Sequence, residues 1–157
     1  MGLKDDFPQV VQRYQDSIFR LAFSYTKNRF DADDVTQNVL LKLYDCDKRF
    51  ENEQHRKNWI MRVTVNQCKN LFRAPWRTHE SLEDYAETLG FESPQVSEVF
   101  LTVMRMDKKY RIVLMLYYYE GYALKEISSI LGIPEKTVST RLIRGRQKLK
   151  NLLTEEV

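Results

Sequence analysis

Leu124-Lys125-Glu126-Ile127-Ser128-Ser129-Ile130-Leu131, then Gly132-Ile133-Pro134, then Glu135-Lys136-Thr137-Val138-Ser139-Thr140-Arg141-Leu142-Ile143-Arg144-Gly145-Arg146-Gln147-Lys148-Leu149-Lys150 decides the fold of this chain. Ile127 and Leu131, one helical turn apart, can meet Val138 and Leu142 of the second segment, whose core stripe continues to Leu149. The turn between them is short and holds Gly132 and Pro134, so the pair reads as a helix-turn-helix. From Arg141 to Lys150 there are five basic residues and no acid. At about 100° per residue, the side opposite the core stripe carries Lys136, Thr140, Arg144 and Gln147. Thr137, Ser139, Arg141 and Lys148 stand at its margins. Such a face suits a DNA major groove: Lys and Arg neutralise phosphates, the helix N-terminus offers N–H groups, and early side chains reach base edges. The residues expected to contact duplex DNA are Lys136, Thr137, Ser139, Thr140, Arg141, Arg144 and Lys148. A helical core with a basic exposed face is the plainer alternative.

Two residues fit this helix poorly. Gly145 lies in its interior, where Gly costs about 1 kcal/mol relative to Ala; a close helix crossing against its bare side would account for it. Ile143 falls away from the core stripe and is open to a thymine methyl, a protein partner or solvent.

Outward from this motif, every periodic stretch has a helical period. Asp107 is placed to cap a helix running to about Glu120, with Tyr110, Val113, Leu114 and Tyr117 inward and Gly121 as its stop. Ser93-Pro94 starts the helix before it, continued by Val96, Phe100 and Val103. Residues 76–92 show little periodicity and read as a linker. Pro8 suits a first turn, and Val11, Tyr14, Ile18, Leu21, Ala22 and Tyr25 follow at steps of three and four. Asp31 is the expected N-cap of a second helix with Val35, Val39, Leu40 and Leu43 on its apolar side. Asp45 to Gln54 is polar and reads as a loop. A third helix is expected from about Arg56 to Arg73, anchored by Trp59, Ile60, Val63 and Leu71 and ended by Pro75. The fold class is therefore all-α: two small helical domains, 1–76 and 93–157, joined by a linker at 77–92, the second domain a helix-turn-helix.

Charge supports that division. The net charge of +3 is unremarkable, but residues 81–100 hold five acids and no base, while 51–80 carry +3 and 101–157 carry +5. Two basic blocks around an acidic one suggest two nucleic-acid-facing surfaces and a solvated connector. Cys46 and Cys68 have no metal-ligand or redox spacing, and with only two histidines a zinc site is not expected. No metal or other cofactor is expected. The thiols suit a reducing compartment, and no apolar run or signal-peptide core is evident, so the expected location is cytoplasmic. No nucleophile–base pair, paired-carboxylate site or Gly-rich phosphate loop suggests an enzyme.

Further motifs resemble the bacterial RNA polymerase sigma factors. Asp31-Ala32-Asp33-Asp34-Val35-Thr36-Gln37-Asn38-Val39-Leu40-Leu41-Lys42-Leu43-Tyr44 is similar to the family's polymerase-binding helix. Trp59-Ile60-Met61-Arg62-Val63-Thr64-Val65-Asn66-Gln67-Cys68-Lys69-Asn70-Leu71-Phe72-Arg73 resembles its promoter-melting helix, and Met106-Asp107-Lys108-Lys109-Tyr110-Arg111 the opening of its C-terminal domain. With the helix-turn-helix, four motifs stand in the order and spacing of the small extracytoplasmic-function (ECF) group, over nearly the whole chain.

The resemblance implies an alternative sigma factor that binds core RNA polymerase and promoter DNA and directs transcription initiation. It implies that Asp33, Asp34, Gln37 and Asn38, with apolar help from Leu40 and Leu41, dock on the polymerase. It gives Arg62, Asn66, Lys69, Asn70 and Arg73 to the −10 element, with Asn66 at the base-reading position and a flipped-base pocket in the preceding loop. The helix-turn-helix takes the −35 element. A cognate anti-sigma factor is implied as a further partner, without direct membrane insertion. Departures are Met106-Asp107 where Leu-Pro is usual, Gly145 where Ala is common, and Lys69-Asn70 where an acid is often found. The main alternative is a free-standing helix-turn-helix regulator, which would have no need of a second DNA surface.

Overall fold

The computed structural model describes residues 7–71 and 94–155. The chain divides into two compact units, within Met1–Thr78 and His79–Val157. Every regular element among the described residues is helical, and the linker expected at 77–92 lies outside them.

The first unit holds α1 (Phe7–Thr26), α2 (Arg29–Tyr44) and α3 (Glu53–Leu71). Helix α1 buries Val10, Tyr14, Ile18, Leu21, Ala22 and Tyr25. The stripe thus starts at Val10 and not at the expected Val11, because Val10, Tyr14 and Ile18 are each four residues apart and stack on one face. The turn into α2 uses Lys27 at φ 51° and then Asn28, whose side-chain oxygen accepts the Asp31 N–H at 3.0 Å. Asn28 is therefore the N-cap in place of the expected Asp31, which sits in the first turn where an acid favours the helix dipole. Helix α2 sends Ala32, Val35, Val39 and Leu43 into the core; Leu40 is half-buried at its edge.

Helix α3 starts earlier than expected. The Asn52 side chain accepts the His55 N–H at 2.8 Å and closes the first turn. Its buried side chains are Ile60, Met61, Thr64, Val65 and Cys68, while Trp59, Val63 and Leu71 are only half-buried. Thr64 tolerates burial because its hydroxyl donates to the Ile60 carbonyl at 2.8 Å. Glu53 joins α3 to α1: its carboxylate accepts from the Tyr14 hydroxyl, pairs with Arg13 at 3.1 Å and with Arg56 at 2.5 Å. Burial pushes the Glu53 carboxyl up, but the hydrogen bonds from Tyr14 and Arg56 outweigh it and hold the carboxyl below its ordinary range.

The second unit holds α4 (Pro94–Met104), α5 (Lys108–Leu114), α6 (Leu124–Leu131) and α7 (Glu135–Glu155). Asp107 heads α5 through its carbonyl, which accepts from the Tyr110 and Arg111 N–H groups at 3.0 and 2.9 Å, and not through its side chain. Helix α5 widens into a π-helical turn, Met115–Tyr119, where the Glu120 N–H reaches back to the Met115 carbonyl at 3.1 Å. Gly121 and Gly132, at φ 73° and 70°, end the π turn and α6 in a left-handed conformation that Gly adopts without strain. The α6–α7 turn is also tied by the Ser128 hydroxyl, which donates to the Ile133 carbonyl at 2.6 Å. Glu126 accepts the Ala123 N–H at 2.9 Å and steadies the start of α6.

Val138 and Leu142 of α7 pack inward with Ile127 and Ile130 of α6, and all four are at most 4% exposed. Leu149 is half-buried, and α7 runs past Lys150 to Glu155. Gly145 lies where α7 crosses α5: a Cβ there would stand 3.4 Å from Leu114 Cγ and Cδ1 and 3.5 Å from Tyr110 Cβ. Helix α7 does cross α5 at its bare side, but with room for a methyl group at ordinary contact distance.

Candidate functional site

Three exposed helix faces carry the residues singled out in the sequence. The first is on α7. Lys136, Arg144 and Lys148 are exposed, and Thr137, Ser139, Thr140 and Arg141 are partly so. Lys136, Thr137, Thr140, Arg141 and Arg144 line one open depression together with Lys109 and Tyr110 of α5. Four of those seven side chains are cationic and none is acidic, so the depression favours an anion. The Lys109 and Lys148 ammonium groups lie 5.0 and 5.6 Å from the centre of the Tyr110 ring, which holds both on this side of the unit.

Lys109 was not among the expected DNA contacts. Its signal was its place in the first turn of α5, which means little until the α5–α7 crossing is known. Ser139 is outside this depression. On its flank Arg146 turns away, its guanidinium 5.5 and 5.6 Å from the Tyr117 and Tyr118 rings.

The second face is on α3. Arg62, Asn66, Lys69 and Asn70 are all exposed and follow one another at helical spacing. Arg73 lies outside the described residues. At the foot of this helix, the Phe50 ring meets His55 and Trp59 edge-on, with centres 5.4 and 5.6 Å apart. The His55 Nδ1 accepts the Glu51 N–H at 3.1 Å. Trp59 is thus part of an aromatic rim joining the preceding loop to α3, and not the fully buried anchor expected.

The third face is on α2. Asp33, Asp34, Gln37, Asn38 and Leu41 are exposed, opposite the buried Val35, Val39 and Leu43. Leu41 is 59% exposed, and the same helix leaves Phe30 67% and Tyr44 37% exposed. Arg29 lies over the Phe30 ring at 5.4 Å, and Tyr44 meets Phe7 of α1 edge-on at 4.9 Å. Phe30 and Tyr44 were not expected here. An aromatic residue in a helical pattern reads as core until the helix register is fixed.

Among the described residues no group of three or more His, Cys, Asp or Glu side chains could hold a metal ion, and no helix is long and apolar enough to cross a membrane.

Two family models match the chain: Sigma-70 region 2 over residues 10–78 and Sigma-70, region 4 over residues 94–149. The ECF RNA polymerase sigma factor SigW of Bacillus subtilis is 28% identical over an alignment covering 98% of this chain and 92% of that protein. The RNA polymerase sigma factor SigZ of the same organism is 34% identical, covering 78% of this chain and 72% of that one. Among solved structures, CnrH in complex with the cytosolic domain of CnrY is similar at a TM-score of 0.69 and 26% identity, covering 99% of this chain and 92% of that chain. The sigma factor RpoE of Bartonella quintana, solved with the anti-sigma factor NepR, shares the fold at a TM-score of 0.74 and 20% identity, covering 95% and 97%.

Proposed function

The chain belongs to the ECF group of bacterial RNA polymerase sigma factors, which direct core polymerase to promoters, and we propose how its three exposed faces divide that work. The N-terminal domain, 1–76, binds core polymerase and handles the −10 element; 77–92 is the linker; 93–157 reads the −35 element. On α2, Asp33, Asp34, Gln37 and Asn38 meet a basic polymerase surface, and Leu40 and Leu41 supply apolar contact. Phe30 joins them at the helix start. On α3, Asn66 reads an unpaired base, Arg62, Lys69 and Arg73 follow the strand, and Asn70 completes the face. Opening the duplex costs about 1.4 kcal/mol per base-pair step in lost stacking, and these contacts offset it by holding the unpaired strand. On α7, Lys136, Thr137, Ser139, Thr140, Arg141, Arg144 and Lys148 contact duplex DNA, and Lys109 adds a phosphate contact from α5.

The observation that carries this reading is the α2 face. A folded helix that leaves Phe30 and Leu41 mostly in water beside Asp33 and Asp34 is built for a protein partner. A free-standing regulator could use such a face only to dimerise, and it would have no need of the second basic face on α3. The chain itself performs no chemistry and works in the cytoplasm, where the polymerase is. An anti-sigma factor is the expected inhibitor; both structural neighbours were solved with a partner protein bound.

Run-off transcription with bacterial core polymerase on a genomic fragment library tests the reading. New starts sharing paired upstream and start-proximal motifs are expected with the chain present, and Asn66→Ala should abolish them while leaving polymerase binding intact. Duplex binding by the chain without any new start would favour the free-standing regulator.

A further inference from the structure

Ile143 is 62% exposed on α7, in a helix that otherwise presents polar side chains to solvent along this line. It is seven residues from Lys136, so the two stand about 20° apart around the helix axis. It points roughly 130° away from the stripe of Val138, Leu142 and Gly145 that packs inward. Thr140 and Gln147 are its neighbours one turn before and after. From Lys136 to Lys150 the helix has no acid.

The fold itself gains little from Ile143. An exposed β-branched residue buries little and is a poorer helix former than Ala, Lys or Gln. Any larger contribution comes from a contact outside the unit, and the surrounding donors say which kind suits it. Lys136, Thr140, Arg144 and Gln147 suit phosphates and base edges, and such a surface repels a basic protein while attracting a duplex. In a major groove the one apolar group that a base pair displays is the C5-methyl of thymine.

We propose that Ile143 is a specificity residue that reads a thymine by contact with its C5-methyl group. This deepens, and rests on, the reading of α7 as the helix that binds the upstream promoter element. Thr140 and Gln147 flank the contact on base edges, and Lys136 and Arg144 hold the helix on the backbone. The preference is positive and small: a methyl group taken from water by Ile143 strengthens binding about fourfold.

The test uses the full chain bound to core polymerase. Duplexes with a randomised upstream element are enriched for binding, and one recovered duplex is then rebuilt with each thymine replaced in turn by deoxyuridine, which removes the methyl group alone. At one position deoxyuridine should weaken binding of the native chain about fourfold. Ile143→Ala should melt as the native chain does, bind the thymine duplex with a similar loss, and show no further loss with deoxyuridine there. Ile143→Val should retain part of the discrimination. The proposal is overturned if no deoxyuridine substitution matters, if Ile143→Ala keeps the same sensitivity, or if the recovered element has no thymine. It is also overturned if Ile143→Ala weakens binding to core polymerase without DNA and leaves the deoxyuridine profile unchanged, which would make the side chain a protein contact. Failure to enrich any duplex would instead remove the reading of α7 on which the proposal rests.

Discussion

Leu41→Ala separates polymerase binding from folding within a single helix. Leu41 is 59% exposed, so the fold has used less than half of its apolar surface. Burying a whole Leu side chain stabilises by about 1.5–3 kcal/mol, and the part still in water is therefore worth about 1–2 kcal/mol to a partner that covers it. Removing it should weaken binding to core polymerase roughly five- to thirtyfold. Stability should hardly change, because the lost surface was mostly solvated and Ala is at least as good a helix former as Leu. Leu43→Ala is the contrast two residues away: Leu43 is 0% exposed, and its truncation should cost about 2–5 kcal/mol. Thermal melting of each variant, with affinity measured by competition against labelled native chain for core polymerase, reads both quantities. Native affinity for Leu41→Ala at native melting temperature would refute the assignment of this face to the polymerase. A large loss of stability would refute the claim that Leu41 stands outside the core.

Asn28→Ala should destabilise the chain by about 1 kcal/mol in denaturant titration, and Asp31→Ala by less, since only Asn28 closes the α2 cap; the reverse ranking would restore Asp31 as the cap. Gly145→Ala should raise stability by up to about 1 kcal/mol, because its Cβ meets Leu114 and Tyr110 at contact distance, whereas Gly145→Leu should lower it by about 1–3 kcal/mol by forcing α7 off α5; equal effects would show that the crossing is loose. Glu53→Gln should be less stable than the native chain at neutral pH. The Glu53 carboxyl is held below its ordinary value of 4.5, so its contribution is present above that pH and is lost as pH falls through the lowered value. The gap in melting temperature should close as pH is lowered past 4.5, and a gap that stayed constant would remove Glu53 as its source.

The all-α class, the helix-turn-helix and its turn were legible because period and punctuation agreed there: Ile127, Val138 and Leu142 mark the core, and Gly132 marks the stop. The reading failed where two residue types compete for one position. Asp31 and Asn28 are both good caps, and only the backbone decides which stands before the first turn. In α3 the large residue Trp59 was favoured as an anchor, yet Met61, Thr64 and Cys68 take the buried side. A small hydroxyl that bonds its own helix and a thiol that packs as a small apolar group can both be buried, so residue size alone did not mark the inward side of α3. The π turn at Met115–Tyr119 gave no signal distinct from an ordinary helix, because the same residues suit both. For the candidate site, the residues on a single helix face were legible as a set. Lys109 was not, because it joins the α7 depression only through the crossing of α5 and α7.

On the proposed assignment, the sign of each face also decides what it avoids. The acids Asp33 and Asp34 make the α2 face a poor surface for phosphates, and Lys69 and Arg62 make the α3 face a poor one for a basic protein. Both helices belong to one small unit, so these opposite preferences would orient it between polymerase and DNA before any close contact forms. Swapping the sign of α2 with Asp33→Lys and Asp34→Lys should then do more than weaken polymerase binding. It should raise salt-sensitive, sequence-independent DNA binding by the chain alone, by up to two phosphate contacts' worth of counterion-dependent affinity if both new lysines meet a phosphate. Measuring affinity for a random duplex across a salt series distinguishes the two effects. An unchanged salt slope would mean that α2 plays no part in keeping the chain off DNA, and that its acids serve the polymerase contact alone.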